Sequence, residues 1–224
     1  MIKFRSIILL TFILCSLSAC LQNPVAEEGY SSTTLQSGAD QTELYYPLLA
    51  GKNIALAANH SSLIGQTHLA DTLLASNINL VKVFAPEHGF RGLASAGEFV
   101  EDGTDIASGL KIVSLYGSNK KPSQQMLEGI DLILFDMQDV GVRFYTYIST
   151  LTYIMEAAAE KGIEVVVLDR PNPNGFYIDG PVMEEQHRSF VGMHAVPIVY
   201  GMTIGEYARM INGEGWLSDN KVCK

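Results

Sequence analysis

Val81-Lys82-Val83-Phe84-Ala85-Pro86-Glu87-His88-Gly89-Phe90-Arg91-Gly92 is an apolar, β-branched run that stops abruptly at a carboxylate, an imidazole and a guanidinium. The run reads as a buried strand, Pro86 closes it, and Gly89 and Gly92 permit a loop whose backbone comes close to a ligand. Glu87 is therefore expected at a strand tip and not on a solvated helix face. A single such carboxylate could equally cap the next element or pair with Arg91, so the decision rests on whether the pattern repeats.

It repeats three times. Lys52 to Ala58 runs into Asn59-His60-Ser61-Ser62, Asp131 to Phe135 into Asp136-Met137-Gln138-Asp139, and Ile163 to Leu168 into Asp169-Arg170-Pro171-Asn172. Near-continuous apolar runs of this length belong to strands covered on both faces. Helical spacing lies between them, short over Thr67 to Ser76 and Gln124 to Gly129, long over Phe144 to Lys161. Strands alternating with helices predict right-handed βαβ units and an α/β fold, a Rossmann-like, doubly wound, mostly parallel sheet with helices on both faces. Ligands of such sheets bind outside the carboxyl ends of the strands. Asn59, Glu87, His88, Arg91, Asp136, Gln138, Asp139, Asp169 and Arg170 are thus expected along one edge.

The first twenty residues stand apart. Lys3 and Arg5 precede an apolar stretch from Ile7 to Leu14, and Ser18 and Ala19 precede Cys20, the layout of an export signal. Leu17-Ser18-Ala19-Cys20 also fits a bacterial lipobox, which would make Cys20 the lipidated first residue of an envelope lipoprotein anchored to the membrane. Residues 21–43, polar and rich in Ser, Thr and Gln, read as a flexible tether. Residues 44–217 then read as the α/β domain, and 218–224 as the start of a linker.

Composition narrows the chemistry. Cys223 is the one cysteine besides Cys20 expected in a processed chain, so no disulfide framework is predicted. The net charge of −9, which removal of the leader would take to about −11, and the lack of any nucleic-acid motif argue against a nucleic-acid partner. No Gly-x-Gly-x-x-Gly or phosphate-cradling loop follows a strand, which disfavours nucleotides. Ser118-x-x-Lys121 and Ser218-x-x-Lys221 match part of a serine-hydrolase pattern, but neither Lys-Thr-Gly nor Gly-x-Ser-x-Gly accompanies them. His60 and His88 could share a metal with Glu87, yet the histidines lack paired zinc spacing, and satisfied polar side chains are the simpler reading. No metal or other cofactor is expected.

Pro86-Glu87-His88-Gly89-Phe90-Arg91-Gly92, Ala96-Gly97-Glu98, Ser114-Leu115-Tyr116-Gly117, the long block from Phe135 through Tyr147, Leu168-Asp169-Arg170-Pro171-Asn172-Pro173 and Tyr200-Gly201-Met202-Thr203 together resemble the exo-β-N-acetylmuramidase family of peptidoglycan hydrolases. The resemblance covers residues 44 to 217 and departs from the family pattern at Asn59-His60-Ser61, where a small residue is expected after the asparagine. It implies a Rossmann-like domain followed by a smaller one with the active site between them, and removal of N-acetylmuramic acid from the non-reducing end of muropeptides or disaccharides. Cleaving that β-glycosidic bond requires a carboxylic acid to protonate the leaving oxygen, and Glu87 is the residue read into that role, because a strand-tip carboxyl shielded by Phe84, Phe90 and a substrate would have its neutral form favoured. Glu98, Asp136 or Asp139 could act as base or nucleophile, or the substrate's own acetamido oxygen could attack. The lactyl carboxylate suits a guanidinium, with Arg143 first and Arg170 second. Tyr145 is the ring to watch for stacking on a sugar face, whereas Tyr147 and Tyr153, at helical spacing, read as core. The rival reading is a non-catalytic envelope lipoprotein that binds muropeptides or another anionic glycan through the same edge.

Overall fold

The computed structural model describes residues 35–92 and 102–224. The expected leader, Cys20 and Glu98 lie outside them. In chain order the elements are α1 (Thr42–Leu49), β1 (Ile54–Ala58), β2 (Leu63–Ile64), β3 (Thr67–His68), α2 (Leu69–Ala75), β4 (Leu80–Ala85), β5 (Gly103–Thr104), β6 (Lys111–Ser114), β7 (Leu132–Asp136), α3 (Tyr147–Lys161), β8 (Glu164–Val167) and α4 (Ile204–Gly213). Six strands form one sheet in the order β5-β6-β4-β1-β7-β8, parallel except for β5. The predicted mostly parallel α/β sheet is what the chain forms.

Strand side chains alternate between two faces, and each face buries its own core. Ala55, Ala57, Phe84, Val113, Ile133 and Phe135 point toward α3 and α4, where Leu151, Ile154, Ala158, Tyr207 and Ile211 cover them. Ile54, Leu56, Ala58, Val83, Ala85 and Leu134 point the other way, beneath Tyr45 and Leu49 of α1 and Leu69 and Leu73 of α2. This two-sided cover explains why the strands read as unbroken apolar runs.

Local chemistry moved several boundaries. Thr67 and His68, expected inside a helix, pair with Ile64 and Leu63, and the helix begins one residue later because the His68 ring nitrogen accepts from the Ala70 N–H. Gln124 to Gly129 forms turns with i to i+3 bonds, Glu128 N–H to Gln125 O and Ile130 N–H to Leu127 O, since so short an apolar repeat cannot nucleate an α-helix. Thr203 and Glu206 form the capping box expected ahead of α4. Residues 37–43, within the stretch read as a tether, make a 3-10 turn and open α1, with Ala39 fully buried. Residues 218–224 lie against the domain: Cys223 is buried, and the Val165 N–H donates to the Lys224 carbonyl. Among the described residues no helix is long and apolar enough to cross a membrane.

Candidate active site

β1 sits between β4 and β7. The chain leaves β1 toward β4 and leaves β7 in the opposite direction toward β8, so the β1/β7 boundary is where the winding reverses and a ligand crevice opens at the carboxyl ends. The register aligns Ala58 with Asp136, and alternation continues past both tips: Asn59 and Met137 turn toward α3, Asp136 toward the α1 side. Ser61 and Ser62 lock the two tips together. Ser62 Oγ donates to the Asp136 carbonyl at 2.5 Å and accepts from the Asn59 N–H at 3.0 Å, while Ser61 Oγ accepts from the Gln138 N–H at 2.9 Å.

Glu87 occupies the corner of a turn beyond β4, closed by the Gly89 N–H on the Pro86 carbonyl at 3.0 Å. His88, its neighbour in that turn, has a left-handed backbone with φ of 71°, a conformation costly for a residue bearing a Cβ and one that gathers at functional sites. Both residues are half-buried. The predicted flanking rings divide: Phe84 points into the core under α3, and Phe90 packs edge-on against His68 at 4.6 Å.

Asp139 is 3% exposed. Its Oδ2 accepts a short bond from the Tyr200 hydroxyl and another from the Gly141 N–H at 2.7 Å. Burial raises its pKa, and those bonds counteract the rise. Gly141 has φ of 71°, and a Cβ there would meet the Asn172 amide at 2.2 Å, so only glycine fits the loop that carries Arg143. Arg143, half-buried, uses Nη1 on the carbonyls of Pro181 at 2.9 Å and Val196 at 2.5 Å, and among the described residues it joins no ion pair. Tyr145 and Phe144 are both about half exposed, with rings 5.8 Å apart.

Other predicted site residues are occupied by the protein itself. Arg170 holds fully buried Asp136 through Nε at 2.6 Å and Nη2 at 2.9 Å, with Nη2 also on the Leu63 carbonyl. Burial pushes the Asp136 carboxyl up in pKa, and the guanidinium pulls against it. Asp169 accepts from the Thr203 hydroxyl at 2.6 Å and the Gly205 N–H at 2.8 Å, which places it at the N-terminus of α4. Gln138 spans to the Pro171 carbonyl at 2.8 Å. Arg91 is turned away from the crevice, bidentate on Asp71 at 2.8 Å and bonded to Asp105 at 2.8 Å. That guanidinium holds the Asp105 carboxyl down to about 2.

Two residues beside the crevice escaped the sequence reading. Tyr147, read as core, is the first residue of α3 and only half-buried. Burial, and after it the charges of Glu87 and Asp139, raise its pKa, while the Asn59 side chain counteracts the rise. His68 bonds the Asn59 carbonyl through Nε2 at 3.0 Å, and burial lowers its pKa. The usable signal for Tyr147 was position: it opens the helix that follows the strand at the winding reversal.

Three comparisons bear on this edge. Residues 54–224 match the family model described as exo-beta-N-acetylmuramidase NamZ, N-terminal. The chain is 47% identical over 173 residues to the peptidoglycan beta-N-acetylmuramidase NamZ of Bacillus subtilis (strain 168), a match covering 76% of this chain and 42% of that protein. Crystal structures of two DUF1343 family proteins from Bacteroides fragilis NCTC 9343 align with TM-scores of 0.75 and 0.76 at 44% and 42% identity, over 84% of this chain and 49% and 48% of theirs. The chain therefore spans less than half the length of these relatives. With the family model matched from β1 through Lys224, the chain belongs to the exo-beta-N-acetylmuramidase NamZ family.

Proposed function

We propose that the protein is a glycoside hydrolase that releases N-acetylmuramic acid from the non-reducing end of peptidoglycan fragments, with Glu87 as its general acid. The observation that carries the reading is a half-buried carboxyl on a strained turn beside the winding reversal, in a chain 47% identical to a peptidoglycan beta-N-acetylmuramidase. Glu87 gives its proton to the glycosidic oxygen as the bond to the anomeric carbon breaks, and water or the substrate's acetamido oxygen takes that carbon. Arg143, on the loop after β7 and outside any ion pair among the described residues, is the guanidinium best suited to the lactyl carboxylate. The half-exposed Tyr145 ring is suited to stacking on a sugar face. Asp139 is the candidate second carboxyl from the described residues, and Glu98 remains its rival.

Incubation with a chromogenic β-N-acetylmuramide tests the reading. Release of the chromophore by the wild type and not from the matching N-acetylglucosaminide supports it; binding of muropeptides without turnover would favour a non-catalytic binding protein. Anchoring through a lipid on Cys20 is the second part of the proposal, supported by the charged, apolar and small-residue layout ahead of that cysteine. Cys20→Ala should move the protein out of the membrane fraction, and a wild type recovered wholly in the soluble fraction would contradict it.

A further inference from the structure

We propose that Tyr200 is a positioning residue for Arg143: its buried hydroxyl holds Asp139, and through Asp139 the loop that aims the uncommitted edge of the Arg143 guanidinium at a substrate carboxylate. This role rests on the reading of Arg143 as the group that meets the lactyl carboxylate.

Arg143 is fixed by one edge only. Nη1 is committed to the carbonyls of Pro181 at 2.9 Å and Val196 at 2.5 Å, which orient the guanidinium plane. Nε and Nη2 make no hydrogen bond among the described residues. In an arginine these two N–H groups lie side by side and match the two oxygens of a carboxylate, and Arg170 uses the same pair on Asp136, at 2.6 and 2.9 Å. The half-buried Arg143 thus keeps a carboxylate-shaped edge whose aim depends on the loop beneath it.

That loop is tied to residues 198–200. Val142 pairs with Val199 in an antiparallel bridge, flanked by the Arg143 N–H on the Ile198 carbonyl at 2.8 Å and the Tyr200 N–H on the Gly141 carbonyl at 3.2 Å. The corner from Asp139 to Gly141 needs a further brace, because Gly141, at a left-handed φ, has no Cβ to restrict it. Asp139 supplies the brace. Its Oδ2 takes both the Gly141 N–H at 2.7 Å and the Tyr200 hydroxyl, while its buried Oδ1 has no partner among the described residues. Two donors on one oxygen therefore hold the carboxyl, and one of them is the only polar atom of the fully buried Tyr200 side chain. Without that hydroxyl the carboxyl would keep a single amide and turn toward water, since a buried acceptor short of partners is costly. Gly141 would move with it, and Arg143 lies two residues further on.

Tyr207 offers a matched control. Its ring lies 5.0 Å from that of Tyr200, it is as fully buried, and its hydroxyl has no hydrogen-bond partner among the described residues.

Titration calorimetry with N-acetylmuramic acid and with N-acetylglucosamine, which lacks the lactyl group, tests the assignment. Tyr200→Phe should bind the muramic acid about 5-fold more weakly, the size of one lost hydrogen bond, and N-acetylglucosamine within about 2-fold of the wild type. Adding Tyr200→Phe to Arg143→Gln should cost nothing beyond Arg143→Gln alone, because both act on one contact. Tyr207→Phe should keep the wild-type preference. Asp139→Ala removes the acceptor from the other end and should also lose the preference, which decides the matter should Tyr200→Phe fold poorly. Equal losses on both sugars, or a Tyr207→Phe protein as impaired as Tyr200→Phe, would reduce the hydroxyl to packing and overturn the proposal. If Tyr200→Phe keeps the preference while Arg143→Gln removes it, the positioning role alone fails. If Arg143→Gln keeps it, the reading of Arg143 fails and the positioning role with it.

Discussion

The tips of β7 and β8 look, in sequence, like the tips of β1 and β4: an apolar run that ends in a charged or amide side chain. In the fold they differ. At β7 and β8 the polar groups satisfy one another, Asp136 with Arg170, Asp169 with the start of α4, Gln138 with the Pro171 carbonyl. At β1 and β4 a clamped asparagine carries one buried donor that is unbonded among the described residues, and a carboxyl sits on a strained turn. A strand tip is thus where a site can be, and the ion pair, cap and carbonyl contact at β7 and β8 mark Asp136, Asp169 and Gln138 as groups that hold the fold. Fold-holding groups should cost stability when removed, and crevice groups should cost turnover.

The largest effect is expected on the fold-holding side. Asp136→Ala leaves Arg170 buried without its carboxylate and should destabilise by about 3–5 kcal/mol, read from chemical denaturation; a loss under about 1 kcal/mol would erase the distinction drawn between the two pairs of tips. Glu87→Gln, nearly isosteric, should leave the melting curve in place and reduce turnover on the natural disaccharide by about 100-fold or more, close to 3 kcal/mol in the barrier. Near wild-type turnover would move the acid to Asp139 or Glu98. Arg143→Gln should weaken binding of the lactyl-bearing sugar by about 2 kcal/mol and leave an N-acetylglucosamine analogue almost unaffected, as titration calorimetry would register.

Smaller changes sharpen the contrast. Asp169→Ala removes the acceptor at the start of α4 and should cost about 1 kcal/mol in stability with little change in KM. Asp105, whose carboxyl is held at about 2 by Arg91, offers a pH test. A depressed folded pKa means the carboxylate stabilises above its ordinary value near 3.8, and that stability is lost as pH falls from about 4 toward 2. Asp105→Asn should flatten this part of the acid limb of the stability curve.

The sheet was legible because its central strands are covered on both faces and so carry unbroken apolar runs. β6 was not, since Lys111 and Ser114 interrupt the pattern of a strand nearer the edge, and neither were the two-residue pairings β2, β3 and β5. Glu87 drew notice through the Pro-terminated run, the flanking glycines and the repetition of that ending at three other strands. Tyr147 did not, because the 3.6-residue repeat that places Leu151 and Ile154 in the core also takes in the helix's first residue, which overhangs the sheet edge. The partners of Asp136, Asp169 and Arg91 stayed hidden for a different reason: long-range ion pairs and caps leave no periodic trace.

Arg170 reaches the Leu63 carbonyl across 107 positions of sequence, and the serines after β1 bond to Asp136 at the end of β7 and to Gln138 just past it, 74 and 77 positions away. Contacts so separated along the chain form only after large loops have closed, which slows folding. The crevice is therefore among the last parts of the molecule to assemble. A newly made chain can pair β1 with β4 early, yet it presents no ordered acid site until β7, α3 and the segment through Arg170 have emerged and docked. Substitutions in the serine lock should accordingly delay the appearance of the site in refolding, ahead of any change in the site's finished geometry.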